Sequence, residues 1–386
     1  MIVSHRLAAL LTAVVAVAAG CSSTAASPST PSPSPVAGAT APSTPTATVT
    51  PTATATPSPS PTPYAIKDGV PWIVYVWLTD PPGDGLYLVR PDGGFRHRIL
   101  TDLPPRLGHP DWSPDGQQIA FDFGVGPGDI GEVWTADAGG TNAKKAIGCL
   151  EAPCLQIAYP AWSPDGSELA YVRIDHSEAT GSTADRLWIE VVNRATGKRR
   201  VVARTQPVDA EYVEYLAPRW SPDGTQIVFS VIYTALPLSD EQPSTGSVIA
   251  VAKADGSEVN APRMLTDRNL FGARPDWSPD GKRIVFNQYH LGYHNFGTEA
   301  TNLYTIHPDG TGLTQITHFG ANDNRAMIPS WTPDGTRIIF THITRDPSGA
   351  NPYGDRNVAF IDPDGSNLTV IDDELFGVNA RLRPTP

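Results

Sequence analysis

The chain has 386 residues, of which 39 are proline and 34 are glycine, and it carries 28 Lys and Arg against 40 Asp and Glu, a formal net charge of −12. Because proline and glycine both disfavour helix interiors, this composition excludes a mostly helical protein or a coiled coil. The acidic balance argues against a general nucleic-acid-binding protein, which needs a basic face to neutralise phosphates.

Residues 1–21 have the features of a cleaved export signal. A basic residue, Arg6, precedes an apolar run of 14 residues, which is too short to span a bilayer comfortably. The segment ends in Ala-Ala-Gly-Cys21, which resembles the lipobox of bacterial lipoproteins, where the cysteine is acylated and becomes the new N-terminus. The resemblance implies a lipid anchor at Cys21 on the outer side of a bacterial membrane. The alternative is an ordinary secretory signal with a chance cysteine.

Residues 22–63 form a low-complexity tract. Pro, Thr, Ser and Ala make up 39 of its 42 residues, and none of the 42 is charged. Such a tract buries too little apolar surface to offset its chain entropy. It predicts a disordered stalk with polyproline II character.

Two further cysteines, Cys149 and Cys154, lie five positions apart. In an exported protein a local disulfide is the expected state of such a pair. A metal site is not expected at this spacing, because no histidine is nearby.

From residue 64 onward the chain repeats the unit Pro-x-Trp-Ser/Thr-Pro-Asp-Gly-x-x-Ile/Leu-x-Phe/Tyr five times. Successive tryptophans are 50 to 58 residues apart, a period of about 55 that falls in the range of β-propellers and other arrays. The tryptophan and aspartate of each unit are Trp112 and Asp115, Trp162 and Asp165, Trp220 and Asp223, Trp277 and Asp280, and Trp331 and Asp334.

Each part of the unit predicts a local structure. Ser-Pro-Asp-Gly suits a type I turn, and the alternating Ile-x-Phe after it predicts a strand with one buried face. A second Asp-Gly turn and a short strand follow in most repeats. Four strands per repeat with no helix between them predict the blade of a β-propeller.

The length of the repeat region decides the number of blades. Residues 64–386 hold about six units at the observed period, and residues 72–102 supply a degenerate sixth unit without the Trp-Ser-Pro-Asp-Gly motif. The inner strand of that blade comes either from residues 62–66 or from the C-terminus, where Arg383-Pro-Thr resembles the start of the other inner strands. The sequence therefore predicts an all-β, six-bladed propeller at residues 64–386.

The Trp-Ser-Pro-Asp-Gly repeats resemble those of the TolB-like family of β-propellers, and the match covers nearly the whole repeat region. The resemblance implies a propeller that binds partners of the cell envelope. Similar repeats occur in propellers attached to serine peptidases and in oligogalacturonate lyases, so the motif indicates a fold more strongly than a function.

Antiparallel blades place the two kinds of Asp-Gly turn on one face, which we call the turn face. The connections between the second and third strands, and between blades, share the opposite face, which we call the loop face. Because function tends to lie on variable loops carried by a rigid scaffold, we expect any binding site on the loop face. The candidate binding residues are Arg106, Asp111, Asp276, Tyr289, His290, Tyr293, His294 and Arg325.

The candidates in the loop at residues 288–296 and the charged candidates near the channel mouth each have a second interpretation. Residues 288–296 form a recognition patch, or else a long loop that packs its own rings over the blade edge. The charged residues near the channel mouth suit peptide or sugar contacts, or else simply solvate a wet channel. A metal site in the loop is disfavoured because the loop has no acidic ligand at a suitable spacing.

The sequence contains no Gly-x-Ser-x-Gly nucleophile motif, and we expect no peptidase activity, catalytic residue, cofactor or metal. The leading hypothesis is a monomeric, lipid-anchored propeller that binds an envelope protein, peptide or glycan and no nucleic acid. The alternative is a metal-assisted polysaccharide lyase or hydrolase. That alternative requires several histidines to converge with a carboxylate, from the set His109, His290, His294, His318 and His342.

Overall fold

A computed structural model describes most of the repeat region. The described residues are 66, 69–77, 85–104, 106–124, 131–149, 154–175, 186–205, 211–235, 244–288, 301–320, 324–345, 354–371 and 377–385. The predicted signal peptide, Cys21 and the predicted stalk lie outside them.

In the described residues, 24 strands form six four-stranded antiparallel sheets, and one 3₁₀ turn covers Arg268–Leu270. The strands are β1 (Ile73–Trp77), β2 (Gly85–Val89), β3 (His97–Arg98), β4 (Leu107–Trp112), β5 (Gln118–Phe123), β6 (Glu132–Asp137), β7 (Lys144–Ile147), β8 (Cys154–Trp162), β9 (Glu168–Asp175), β10 (Arg186–Asn193), β11 (Arg199–Arg204), β12 (Glu211–Trp220), β13 (Gln226–Ala235), β14 (Ser244–Lys253), β15 (Arg263–Met264), β16 (Gly272–Trp277), β17 (Ile284–Gln288), β18 (Leu303–Ile306), β19 (Thr314–Gln315), β20 (Arg325–Trp331), β21 (Ile338–Thr344), β22 (Asp355–Ile361), β23 (Thr369–Val370) and β24 (Gly377–Leu382).

The sheets are the blades of a closed ring. Blade 1 has the strand order β24-β1-β2-β3, and blades 2 to 6 are β4–β7, β8–β11, β12–β15, β16–β19 and β20–β23. The inner strands of adjacent blades contact one another around the ring, and β24 contacts both β4 and β20. The predicted six-bladed propeller is therefore confirmed. No helical segment in the described ranges has the length and apolar character needed to cross a bilayer.

The Ser-Pro-Asp-Gly segments form the predicted turns between the first and second strand of each blade. In blade 2 the Ser113 hydroxyl donates to Asp115 Oδ1 (2.6 Å), which also accepts the N–H of Gln117 (3.0 Å). These bonds stabilise the carboxylate and lower the pKa of Asp115. Gly116 has a φ of 65°, a conformation that glycine adopts without steric strain. The hydroxyl-to-aspartate bond recurs in the other four units, at Ser163 and Asp165, Ser221 and Asp223, Ser278 and Asp280, and Thr332 and Asp334.

The core lies between the blades. The aromatic residue that ends each repeat unit is fully buried, and the repeat tryptophans are 5% to 9% exposed. Two of these tryptophans donate their indole N–H to the inner strand of the preceding blade, Trp112 to Arg381 O (3.0 Å) and Trp220 to Ala161 O (3.2 Å). The repeat motif thus joins adjacent blades as well as forming turns.

The ring is closed by the C-terminal segment, which resolves the alternative left open by the sequence. Strand β24 pairs with β1, with Ile73 opposite Leu382. The closing strand precedes Arg383, so the tripeptide that starts at Arg383 follows the inner strand and does not begin it. Arg383 is only 2% exposed, and its Nε donates to Gly116 O (2.7 Å) in the turn of blade 2.

Cys149 and Cys154 form a disulfide with their Cα atoms 5.4 Å apart. Cys154 is the first residue of β8, so the bond lies at the start of the inner strand of blade 3.

We predict that Arg383→Ala lowers the free energy of unfolding by about 2 to 4 kcal/mol, because it removes a charge-assisted hydrogen bond in a buried position. Arg263→Ala on β15 is the control: Arg263 also donates to a backbone carbonyl, Pro308 O, but it is exposed. Its effect should stay within about 0.5 kcal/mol. Urea unfolding followed by tryptophan fluorescence measures both, and equal losses in the two variants would contradict the role of Arg383 in closure.

Candidate functional site

The central channel is lined by one irregular residue from each inner strand. At this residue the pairing between the first and second strands shifts register, which is the mark of a β-bulge. The six residues have φ in the left-handed region, at His109 (41°), Tyr159 (57°), Ala217 (52°), Arg274 (55°), Ile328 (53°) and Asn379 (56°). Five of them directly precede the repeat proline, and Asn379 precedes Ala380. Left-handed φ is uncommon for residues other than glycine, so its recurrence in every blade indicates a constraint built into the repeat.

Three of these residues are fixed by a side chain of the preceding blade. In each case the bulge N–H donates to an oxygen on the residue that follows the buried aromatic of the second strand. The bonds join Tyr159 N to Asp122 Oδ2 (2.9 Å), Arg274 N to Ser230 Oγ (2.9 Å) and Ile328 N to Asn287 Oδ1 (3.0 Å).

The channel contains a narrow cavity of about 10 Å³, which is room for about one water molecule. Its walls are the six bulge residues together with Pro110, Pro275, Pro329, Arg219 and Arg381. A space of this size does not admit a polypeptide segment.

Next to the cavity, two ion pairs cross the ring between blades that are not neighbours. Arg381 of blade 1 lies 2.9 Å from Asp276 of blade 5, and Arg219 of blade 4 lies 3.9 Å from Asp111 of blade 2. The four side chains are 12% to 16% exposed. Burial raises the pKa of Asp111, against the opposing effect of Arg219 and Arg381. Burial also lowers the pKa of Arg219 to about 10.

The carboxylates of these pairs also hold the backbone. Asp111 Oδ2 accepts the N–H of Trp162 (2.9 Å), and Asp276 Oδ2 accepts the N–H of Trp331 (2.9 Å). Each carboxylate therefore stabilises the ring through an ion pair and a backbone hydrogen bond.

Also in the wall of the cavity, His109 Nδ1 donates to Asp122 Oδ2 (2.7 Å). The acceptor-only carboxylate assigns the proton to Nδ1, and burial lowers the pKa of His109, so the imidazole is neutral at pH 7. Its ring packs against Tyr159, with the ring centroids 3.8 Å apart. Tyr159 in turn lies under the guanidinium of Arg274, 4.8 Å from the ring centroid, and its hydroxyl accepts from Arg274 Nη2 (3.1 Å).

The structure brings together only some of the candidate binding residues. Asp111 and Asp276 both lie beside the channel, each in an ion pair with an arginine. Arg106 precedes β4 and Arg325 begins β20, and neither lines the cavity. Burial lowers the pKa of Arg325. The loop candidates Tyr289, His290, Tyr293 and His294 lie outside the described residues.

The histidines required by the lyase alternative are dispersed where they are described. His109 is bonded to Asp122 in the channel, His318 is exposed, and His342 is buried in blade 6 near Phe319 and Phe340. Within the described ranges, no three His, Cys, Asp or Glu side chains are grouped to hold a metal ion.

Sequence reasoning missed Tyr159, Arg274 and Arg381 as channel residues, and it considered His109 only as a metal ligand. A signal is present in the repeat, since the residue before the repeat proline lines the channel in blades 2 to 6. The register shift that gives this position its importance is not visible in an alternating pattern of apolar residues.

No family model matches the chain. One curated relative, the uncharacterized protein Atu1656 of Agrobacterium fabrum, is 25% identical over 221 residues, which is 49% of this chain and 67% of the relative. Among solved structures, TolB from Acinetobacter baumannii matches with a TM-score of 0.55 and 16% identity over 81% of this chain and 66% of that chain. An Agrobacterium tumefaciens protein described as TolB matches with a TM-score of 0.50 and 21% identity, over 81% and 98% of the two chains. The chain thus spans just under two thirds of the Acinetobacter protein, and it shares the propeller fold of TolB.

Proposed function

We propose that this protein is a non-enzymatic, lipid-anchored binding module of the bacterial cell envelope, which holds a protein, peptide or glycan partner on its loop face. The observation that carries the proposal is the TolB-like six-bladed fold, which suits a binding or scaffold role. The narrow, internally braced channel supports placing a large partner on the face of the ring and not inside it.

The described part of the loop face offers groups that favour binding. Half-buried aromatic rings lie near the loop-face ends of strands in blades 1 to 4, each next to an arginine or a second ring. The pairs are Trp77 with Arg96 (4.7 Å), Phe123 with Trp134 (5.6 Å), Trp188 with Arg204 (5.6 Å) and Tyr233 with Arg268 (4.1 Å). Aromatic residues and arginine are enriched where proteins bind one another, and a flat ring also suits a sugar face.

Blade 4 shows how such a group is held in place. Arg268 follows β15, and its guanidinium donates to Glu211 and to Thr245 while it covers the ring of Tyr233. The bond to Arg268 lowers the pKa of Glu211. The cluster fixes the aromatic ring before a partner arrives, which reduces the entropy lost on binding.

The binding face is tested by photocrosslinking in cells with a photoreactive amino acid at one of two exposed positions. Thr245 lies on the loop face of blade 4, and Lys282, which is 80% exposed, follows a Ser-Pro-Asp-Gly turn on the turn face. We expect a reproducible adduct from position 245 and none from position 282. Adducts at position 282 alone, or at neither position, would count against the proposed face.

The anchor is tested separately by Cys21→Ser. If Cys21 carries the acyl chains, the variant leaves the membrane fraction and appears in the soluble fraction, because the apolar anchor is lost. Cys149→Ser, which removes the disulfide, is the control and should stay with the membrane. Retention of the Cys21→Ser variant in the membrane fraction would refute lipid anchoring at this residue.

A further inference from the structure

A surface groove of about 390 Å³ lies in blade 1, where the chain enters the ring. Its walls are Val70 and Pro71, which lead into β1, and Arg90, Pro91 and Asp92, which belong to the turn after β2. The lining is mostly apolar. Because this volume falls in the range of ligand-binding clefts, the groove, unlike the channel cavity, has room for a peptide segment.

An exposed aromatic ring and a cation border this groove. The guanidinium carbon of Arg90 lies 3.9 Å from the ring centroid of Phe95 and 5.4 Å from that of Trp72. Trp72 is buried, whereas Phe95 is 61% exposed. The Nε of Arg90 is buried and has no hydrogen-bond partner within the described ranges. An exposed ring and a cation with an unpaired donor, next to an apolar groove, indicate a surface that binds another chain segment.

The strand order places the groove at the point where the N-terminal tract joins the ring. Ile73, the first residue of β1, pairs with Val89, the last residue of β2, so β1 begins beside the turn that follows β2. That turn belongs to the turn face, and the tract at residues 22–63 therefore reaches the ring on the turn face. Only residues 64–69 separate the tract from Val70, a linker that spans at most about 25 Å.

The end of the tract has the chemistry of a ligand for such a groove. Residues 57–63 read Pro-Ser-Pro-Ser-Pro-Thr-Pro and carry no charge. Proline favours the extended polyproline II conformation, so a segment of this kind loses little entropy on binding, and proline-rich segments bind aromatic-lined grooves. The segment has many carbonyl acceptors and few N–H donors, which complements a guanidinium, because that group only donates.

We propose that residues 57–63 bind the groove at Arg90 and Phe95, so that the end of the N-terminal tract is attached to the turn face of blade 1. The short linker keeps the segment at an effective concentration on the order of millimolar, so a weak contact suffices. With the lipid anchor of the proposed function at Cys21, the tether then leaves the ring opposite the loop face, and the partner surface points away from the membrane. This consequence rests on the proposed function, whereas the docking itself does not.

The test is electron paramagnetic resonance of the full chain with a nitroxide label at Ser60→Cys, in a Cys21→Ser background. Cys149 and Cys154 are joined in a disulfide, so the label attaches to the introduced cysteine alone. We expect the spectrum of an immobilised label, because position 60 lies in the middle of the docked segment.

The matched control is a label at Ser34→Cys in the same background. Residues 31–35 and 57–61 have the same sequence, Pro-Ser-Pro-Ser-Pro, and differ only in their distance along the chain from the ring. The effective concentration falls as the linker lengthens, so the label at position 34 should be mobile. A label at position 60 that is as mobile as the one at position 34 would overturn the proposal.

Two variants locate the contact. Phe95→Ser removes the exposed ring, and Pro59→Ser combined with Pro61→Ser removes the prolines beside the label. Each should abolish the immobilised component at position 60. Leu313→Ser removes a side chain of blade 5 that is 50% exposed, and it should leave that component unchanged. An immobilised label at position 60 in the folded Phe95→Ser variant would contradict docking in this groove.

The same segment of a second copy of the chain is the other occupant that the experiment distinguishes. Dilution of the labelled protein leaves docking within one chain unchanged, whereas docking between copies loses the immobilised component. Loss on dilution would therefore assign the groove to a second copy and overturn the proposal. Since the label is read in the absence of Cys21, failure of the lipid anchor and failure of the docking are separate results.

Discussion

At three of the six blade junctions, a backbone N–H in the inner strand of one blade donates to a side-chain oxygen of the blade before it. The pairing of the inner strand with the second strand is irregular at that residue, so the N–H of the residue makes no bond to the neighbouring strand. An unpaired backbone donor inside a protein is strongly unfavourable. The acceptors Asp122, Ser230 and Asn287 supply the missing bond. They couple adjacent blades and hold the bulge residues in a left-handed conformation that they would otherwise seldom adopt.

The chemistry of the channel follows from this constraint. The bulges direct six side chains to the channel. The charged residues two positions after a bulge residue, Asp111, Arg219, Asp276 and Arg381, lie beside them. The resulting ion pairs join blades that are not neighbours. They connect the ring across its centre, in addition to the contacts between adjacent blades. Asp122 both holds a bulge residue and orients a channel side chain, because it accepts the Tyr159 N–H and a bond from His109.

The repeat made the fold predictable, while the channel depended on contacts that no single repeat contains. The spacing of Trp112 to Trp331 gives six blades, and Ser-Pro-Asp-Gly gives their turns, because both are local patterns. The sequence does not identify the closing strand, since residues 377–382 contain neither the proline nor the tryptophan of the other inner strands. The repeat predicts that Asp276 lies near the channel, but its pairing with Arg381, 105 residues away, exists only after the ring closes.

The bulge bonds therefore determine which side chains line the channel, while the loop face offers the larger surface. That a side chain of the preceding blade fixes each of these three bulge residues is tested most directly by native-state hydrogen exchange of the Arg274 and Ile328 amides in the wild type and in Ser230→Ala. We expect slow exchange at both amides in the wild type, and exchange at least tenfold faster at Arg274 alone in the variant. Unchanged exchange at Arg274, or equal acceleration at both amides, would contradict it.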